Sequence, residues 1–479
     1  MRAEPQPVPS KVAADASYRA DTPIETMAEW IGDEVAPAAF PETILRFRND
    51  RHAAGIGLAQ LSDADWVKHF GRFEPLPGNL PRPLALRYHG HQFRVYNPEI
   101  GDGRGFLFAQ LRDGADRLLD LGTKGSGPTP WSRRGDGRLT LKGAVREILA
   151  TEMLEALGVY TSKTFSVVET GEELTRGDEP SPTRSAVMTR LSHGHIRIGT
   201  FQRLLALEER AHMAQLVDYC LEQFPDPPPP GDAPGRDDPA VRLMHLVVER
   251  MADLAASWMV AGFVHGVLNT DNMNISGESF DYGPWRFLPQ WDPGFTAAYF
   301  DHQGLYAFGR QPEALHWNCG QFAIALRLLT DAPPLIAAME RFGPLYMEAI
   351  GRRWCWRLGV PSRGPEADAA VVAASEKALS ETGVAPDRFF FTHRAGRAAE
   401  GDLADALAGY EPLASEHPYW DGTGPQSMLI DEVEAIWAAI ADADDWQPLS
   451  DKVAAMREMG AAHGAPPLPA GHVWDTVTT

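Results

Sequence analysis

The sequence predicts an α+β chain in two parts, a small β-rich segment followed by a larger, mainly helical one. Short strand patterns gather between about 80 and 195, with one amphipathic helix at 140–157 among them. Past Arg197 the apolar residues fall at helical spacing, and further helical stretches run to about 460. A loop rich in Asp and Asn, around 265–283, sits inside the helical part.

Taken in order, residues 1–24 are polar and proline-bearing and read as a loose tail. The β-rich segment covers 25–198. Within it, Gly101-Asp-Gly103-Arg104-Gly105 is a glycine-rich turn ahead of the strand-like run at 106–111. Glycines let backbone approach a phosphate closely, and Arg104 adds a bidentate donor. A second strand, 117–124, ends in Lys124, followed by Gly125-Ser-Gly127. The helix at 140–157 closes on Gly158, the residue type favoured just past a helix end. Two of its carboxylates, Glu147 and Glu152, are candidates to partner Lys124. Glu152 falls nearer the centre of the apolar stripe, where a carboxylate needs a partner, so periodicity favours it.

The helical part covers 199–462. It begins with a stretch at 201–224, which a proline-rich insertion at 225–238 interrupts. That insertion reads as an exposed, mobile linker rather than a peptide ligand. A long apolar helix over 241–262 delivers the Asp- and Asn-rich loop, and helical stretches follow near 311–351, 366–384, 400–409, 428–442 and 447–460. Residues 463–479 read as a C-terminal tail.

The loop reads Phe263-Val-His-Gly-Val-Leu-Asn-Thr-Asp271-Asn272, with Asp281-Tyr-Gly283 nine residues on. Protein kinases use this inventory: one Asp accepts a proton, an Asn holds metal, and the Asp of an Asp-Phe-Gly turn holds metal against nucleotide phosphates. Mg²⁺ needs few protein oxygens, because it keeps several waters. The spacing departs from that of kinases, since Asp271 directly precedes Asn272. An Asx-rich turn would use the same residues. Arg190 and Arg197 follow a strand-like Ser-Ala-Val-Met-Thr.

These blocks together resemble the selenoprotein O (SelO/YdiU) family. The resemblance rests on Gly-Asp-Gly-Arg, Lys-Gly-Ser-Gly with Trp-Ser-Arg-Arg-Gly-Asp136-Gly137-Arg, the Arg-Glu147 helix start, Thr-Arg190 with His-Ile-Arg197, and the 265–284 loop. It implies a protein-kinase-like two-lobed fold with a small β-rich N-lobe and a larger, mainly helical C-lobe. It implies an enzyme, a protein adenylyltransferase, that binds ATP inverted relative to ordinary kinases. AMP then passes to Ser, Thr or Tyr hydroxyls of proteins. Transfer of UMP, a conventional γ-phosphoryl kinase and a nucleotide-binding pseudokinase scaffold are the alternatives. Position by position, Asp271 matches the proton acceptor, and Asn272 and Asp281 the metal ligands. Gly101, Gly103, Arg104, Lys124, Asp136, Gly137, Arg190, Arg197 and Asp281 match nucleotide contacts. Glu147, not Glu152, matches the lysine partner. Mg²⁺ is the implied metal, with Mn²⁺ as the alternative.

Members of the family typically carry a selenocysteine or cysteine near the extreme C-terminus, whereas the last cysteine here is Cys355. A redox switch of that kind is not expected. Composition excludes other classes. A net charge of −21 would repel nucleic acid, so no nucleic-acid partner is expected. Three scattered cysteines suit neither a disulfide framework nor a zinc cluster. No apolar run of membrane-spanning length and no leader pattern appear, which predicts a cytoplasmic protein. His89-Gly-His91 and His193-Gly-His195 look like metal-ligand pairs but lack helical spacing or nearby Cys, and read as hydrogen-bonded loop histidines.

Overall fold

The computed structural model describes residues 17–177, 179–224, 229–413 and 416–468. Among them, eight strands join in one antiparallel sheet. Across the sheet the order is Gly32–Glu34, Leu84–Leu86, Leu107–Arg112, Leu118–Lys124, Thr183–Ser192, Lys163–Leu174 and Ile44–Arg48, with Leu139–Thr140 also pairing Thr183–Ser192. The register sets Thr189 opposite Thr123 and Arg190 opposite Gly122, so Lys124 and Arg190 come from adjacent strands. The Leu118–Lys124 strand is buried along its whole length, which its run of Leu residues allows.

The helix Leu141–Ala156 lies against this sheet. Thr140 caps its start by accepting a hydrogen bond from Gly143 N at 3.1 Å, and Gly158 follows its end with φ 73°. The long apolar helix runs Pro239–Ala261, capped by Asp238 and closed by Gly262 at φ 65°. Twenty of its residues are buried, so it is a core helix rather than an amphipathic surface one. No described helix is long and apolar enough to cross a membrane.

Several boundaries differ from the sequence reading. The stretch 201–224 is two helices, Ile198–Ala206 and Arg210–Gln223, because Glu208 takes φ 56° between them. The stretch 311–351 is three, Gln311–Leu326, Ala332–Glu340 and Phe342–Leu358. Pro333 and Pro334 lack the N–H that a helix interior requires and so fit only a new first turn. The loose tail ends sooner than residue 24. Ala20 bridges Leu111, and Ile24 is buried with its N–H on Gln110 Oε1 at 3.0 Å. Residues 1–16 of that tail, 225–228 of the proline-rich insertion and 469–479 of the C-terminal tail lie outside the described residues.

Two helices that the sequence groups with the helical part instead return to the helix that lies against the sheet. Ile430–Ala443 and Gln447–His463 pack on Leu141–Ala156. Lys142 reaches Glu434 at 2.7 Å, and Arg457 grips Glu152 through Nε at 2.8 Å and Nη2 at 2.6 Å.

Candidate active site

The end of the Leu118–Lys124 strand opens on a cleft of about 790 Å³. Gly101, Gly103, Arg104, Lys124, Asp136, Gly137, Arg190, Arg197, Asp271 and Asp281 all line it. Ten of the twelve residues singled out from sequence therefore face one space. The other two, Glu147 and Asn272, stand behind residues that do.

Lys124 is buried and ion-paired with Glu147 Oε1 on the helix and with Asp281 Oδ1 at 3.0 Å. The preference for Glu152 drawn from periodicity is thus corrected. Glu152 does need a partner in the apolar face, but finds it in Arg457 from the far end of the chain. Nothing in the local spacing of 140–157 could reveal a guanidinium some three hundred residues away.

Asp281 holds φ 63°, a left-handed conformation that Asp tolerates better than most residues. Arg190 Nη1 lies 3.7 Å from its Oδ1 and Arg197 Nη1 3.9 Å from its Oδ2. Burial opposes ionisation of Asp281, but Lys124, Arg190, Arg197 and Arg104 outweigh it and hold the carboxyl well below the usual range.

Arg197 ties three segments together. Its Nη2 donates to Asp102 Oδ1 at 3.1 Å, and its Nη1 to the backbone carbonyl of Asp271 at 2.8 Å. Asp102 Oδ2 in turn accepts from Leu86 N at 3.1 Å, which fixes the glycine-rich turn to the sheet. Asp102 is a site residue that the sequence reading does not single out, although a carboxylate between two glycines, just ahead of Arg104, is a usable signal.

Asp271 lies in the short turn Thr270–Asn272 and is 8% exposed. Burial raises its carboxyl to about 6, with Asp281 adding to the rise and Arg197 and Gln92 opposing it. Its Oδ2 accepts a long hydrogen bond from Gln92 Nε2 at 3.4 Å, while Oδ1 is buried without a partner. Asn272 donates Nδ2 to Val267 O at 3.1 Å, which fixes the side-chain amide.

Glycines matter at two positions. A Cβ on Gly101 would sit 2.5 Å from the Trp131 indole, and one on Gly137 would sit 2.1 Å from the Gly127 backbone. Trp131 and the arginines 133, 134, 138 and 176 complete the cleft and were not singled out from sequence. Arg176 meets Asp136 at 2.8 and 3.1 Å.

Some of the molecule's unmet hydrogen-bond capacity lies here. Among the described residues of this site, Arg190 Nε and Nη1, Arg197 Nε, Glu147 Oε2 and Asp271 Oδ1 are buried with no hydrogen-bond partner, Arg190 Nη1 having only the 3.7 Å ion pair to Asp281. Each such group costs about 1–3 kcal/mol, more when charged. A polyanion in the cleft would satisfy the guanidinium donors.

The histidine pairs take the hydrogen-bonded reading. His89 meets Tyr96 OH at 2.6 Å, His91 the Gln202 amide at 2.8 Å, and His195 Asp120 at 3.2 Å. No group of three or more His, Cys, Asp or Glu suited to a metal occurs among the described residues.

Residues 16–407 match the family described as Protein adenylyltransferase SelO. The chain is also similar to proteins named Protein nucleotidyltransferase YdiU. That of Synechocystis sp. is 42% identical over 465 residues, covering 90% of this chain and 96% of the relative. That of Trichodesmium erythraeum is 43% identical over 451 residues, covering 88% and 94%. A more distant one, from Mycobacterium sp. (strain KMS), is 33% identical over 473 residues, covering 93% and 94%. With a cleft of this chemistry and matches along most of its length, the chain belongs to the SelO family of protein adenylyltransferases.

Proposed function

We propose that the chain transfers AMP from ATP to a Ser, Thr or Tyr hydroxyl of a protein, on a protein-kinase-like two-lobed fold that holds ATP inverted. The observation that carries this reading is the meeting of Lys124, Arg190 and Arg197 on Asp281, in a cleft that Asp271 also lines. The antiparallel sheet with Leu141–Ala156 supports the small lobe, and the helices around Pro239–Ala261 the large one.

Asp271 accepts the proton of the acceptor hydroxyl, whose oxygen bonds to the α-phosphorus while the α–β bridging bond breaks. Pyrophosphate leaves with the electron pair. Its charge is met by Arg190 and Arg197, whose donors are fixed before reaction. Lys124, steadied by Glu147, orients the phosphates. The chemistry of the donors fits a hard divalent cation. Asp281 lines the cleft with its carboxyl held well below the usual range. Asn272, which follows Asp271 in the same turn outside the cleft lining, commits Nδ2 to Val267 O and keeps its amide oxygen for a metal. Asn272 and Asp281 would hold Mg²⁺ there, and the ion would neutralise phosphate charge. Positioning and electrostatics supply most of the rate in such transfers.

The test is covalent labelling of protein with Mg²⁺ and ATP labelled at either the α or the γ phosphorus. Label from the α position alone is expected. Label from γ alone would replace this reading with a conventional kinase. Tight ATP binding with no label from either would replace it with a scaffold. Running α-labelled UTP in parallel measures the choice between AMP and UMP.

A further inference from the structure

An exposed aromatic patch lies directly beside Asp271. The hairpin Gly90–Gln92 and Val95–Asn97 turns through Phe93 and Arg94, both left-handed at φ 50° and 63°. Two-residue turns of this hand ordinarily take Asn and Gly, because bulky side chains disfavour positive φ. The surroundings hold the hairpin in place. His91 N donates to Thr270 Oγ1 at 2.7 Å, Gln92 Nε2 to Asp271 Oδ2 at 3.4 Å, and Phe93 N to Asn269 Oδ1 at 2.9 Å. The hairpin is thus bonded to three consecutive residues of the loop that carries the proposed base.

A second segment meets it from the other side. Phe300 packs on Phe93 with ring centroids 5.8 Å apart, and Tyr299 on Phe300 at 5.1 Å. Asp301 fixes that segment by accepting from Leu305 N at 2.9 Å and Tyr306 N at 2.8 Å. Yet Tyr299 is 79% exposed, Val95 70%, Phe300 43% and Tyr96 38%. Phe93, Phe300 and Tyr299 form a continuous cluster on the surface, with Val95 and Tyr96 exposed on the same hairpin, and exposed apolar side chains held at fixed positions mark an interaction surface. Arg94, the one charged residue of the hairpin tip, is already paired with Glu313 at 3.0 Å. In a chain of net charge −21, the patch therefore offers apolar contact and little charge.

We infer that this patch docks the acceptor protein, seating an aromatic or aliphatic residue that lies near the modified hydroxyl in the acceptor's sequence. The inference rests on the transferase reading, because only a polypeptide acceptor must reach Asp271 across this surface.

The test uses the full chain with α-labelled ATP, Mg²⁺ and two synthetic peptide sets. Each set carries Ser, Thr or Tyr acceptors, flanked by Leu and Phe in one and by Gln and Ser in the other. The apolar-flanked set is expected to be labelled roughly tenfold more efficiently or better. Tyr299→Ser combined with Phe300→Ser should erase that preference by raising KM for the peptide, with ATP affinity unchanged. Equal labelling of both sets by the unaltered chain, or a preference that survives the double substitution, overturns the inference alone. Absence of label on any peptide and on the chain itself overturns the transferase reading, and the docking assignment falls with it.

Discussion

Replacing Glu147 and Glu152 one at a time by glutamine separates a site carboxylate from a structural one on the same helix. Both are buried, Glu147 at 1% and Glu152 at 3% exposure. Breaking a buried pair by removing one partner costs about 3–5 kcal/mol when the remaining charge is stranded. Neither substitution strands its partner. Without the Glu147 charge, Lys124 keeps Asp281 at 3.0 Å. Without the Glu152 charge, Arg457 keeps a side chain that is 30% exposed to water. Loss of one charge-assisted hydrogen bond then sets the scale, about 1.5–3 kcal/mol in each variant. The two should look alike in urea unfolding, with a lower midpoint and an unchanged slope. They should differ in transfer. Glu147→Gln leaves Lys124 to Asp281 alone and misplaces both, for a loss of about 10–100-fold, as found when second partners of site residues are removed. Glu152→Gln should transfer at close to the normal rate, scored by label from α-labelled ATP on variants shown to be folded. Equal loss of transfer in both variants, or full activity in Glu147→Gln, would refute the division.

Asp281→Ala should abolish transfer and weaken Mg²⁺-dependent ATP binding, whereas Asp271→Ala should lower turnover with ATP affinity nearly intact; calorimetry beside a rate assay separates the two. Arg190→Ala should weaken ATP by about 10–100-fold and AMP much less, since AMP lacks the β- and γ-phosphates, and Arg190→Lys should restore only part of the loss. Stability should fall on the acid side of neutrality because of His463, which burial beside Arg357 and Arg394 holds well below its ordinary value. The unfolded chain takes up that proton first as pH falls through about 6.5, so stability present above that pH drops by about 1.4 kcal/mol per pH unit until the folded-state value is reached. His463→Phe should remove about one proton from that slope, measured by urea unfolding at pH 7 and 5.5.

The parts of the site that sequence revealed are those in which one short run carries both the chemistry and its geometry. Asp271 and Asn272 share a turn, Gly101 to Arg104 share a loop, and Lys124 ends a strand whose Leu residues announce burial. The parts it concealed depend on pairing across the chain. Arg457 answers Glu152, and Asp102 anchors Arg197 and the Leu86 backbone at once. The same division applies to the fold. Periodicity located Leu141–Ala156 and Pro239–Ala261 nearly to the residue, because their apolar faces are long and their ends are capped. It joined Ile198–Ala206 to Arg210–Gln223, because a single left-handed residue, Glu208, leaves no mark on apolar spacing. It also assigned the last two helices by their order in the chain. Their packing on Leu141–Ala156 is a long-range contact that spacing does not encode.

The arrangement around Asp281 bears on how one cleft holds so many charges. The chain as a whole is strongly acidic and repels an anionic nucleotide at a distance. Arg104, Lys124, Arg190 and Arg197 reverse the sign locally, in a cleft whose walls exclude part of the solvent and so strengthen the local field. Asp281 is the counter-charge that lets Lys124 and two arginines lie within 4 Å of one carboxylate without mutual repulsion unfolding the site. On the proposed reading, incoming phosphates compete for those same donors. Lys124 and the arginines exchange a carboxylate for phosphate oxygens, at little cost because both are anionic acceptors. Asp281 is then left ionised and short of positive partners. A carboxylate in that condition would hold a divalent cation well, and the ion would offset the phosphate charge. Nucleotide and metal should therefore bind with mutual reinforcement. The ion pairs of Lys124, Arg190 and Arg197 with Asp281 serve as placeholders for that exchange.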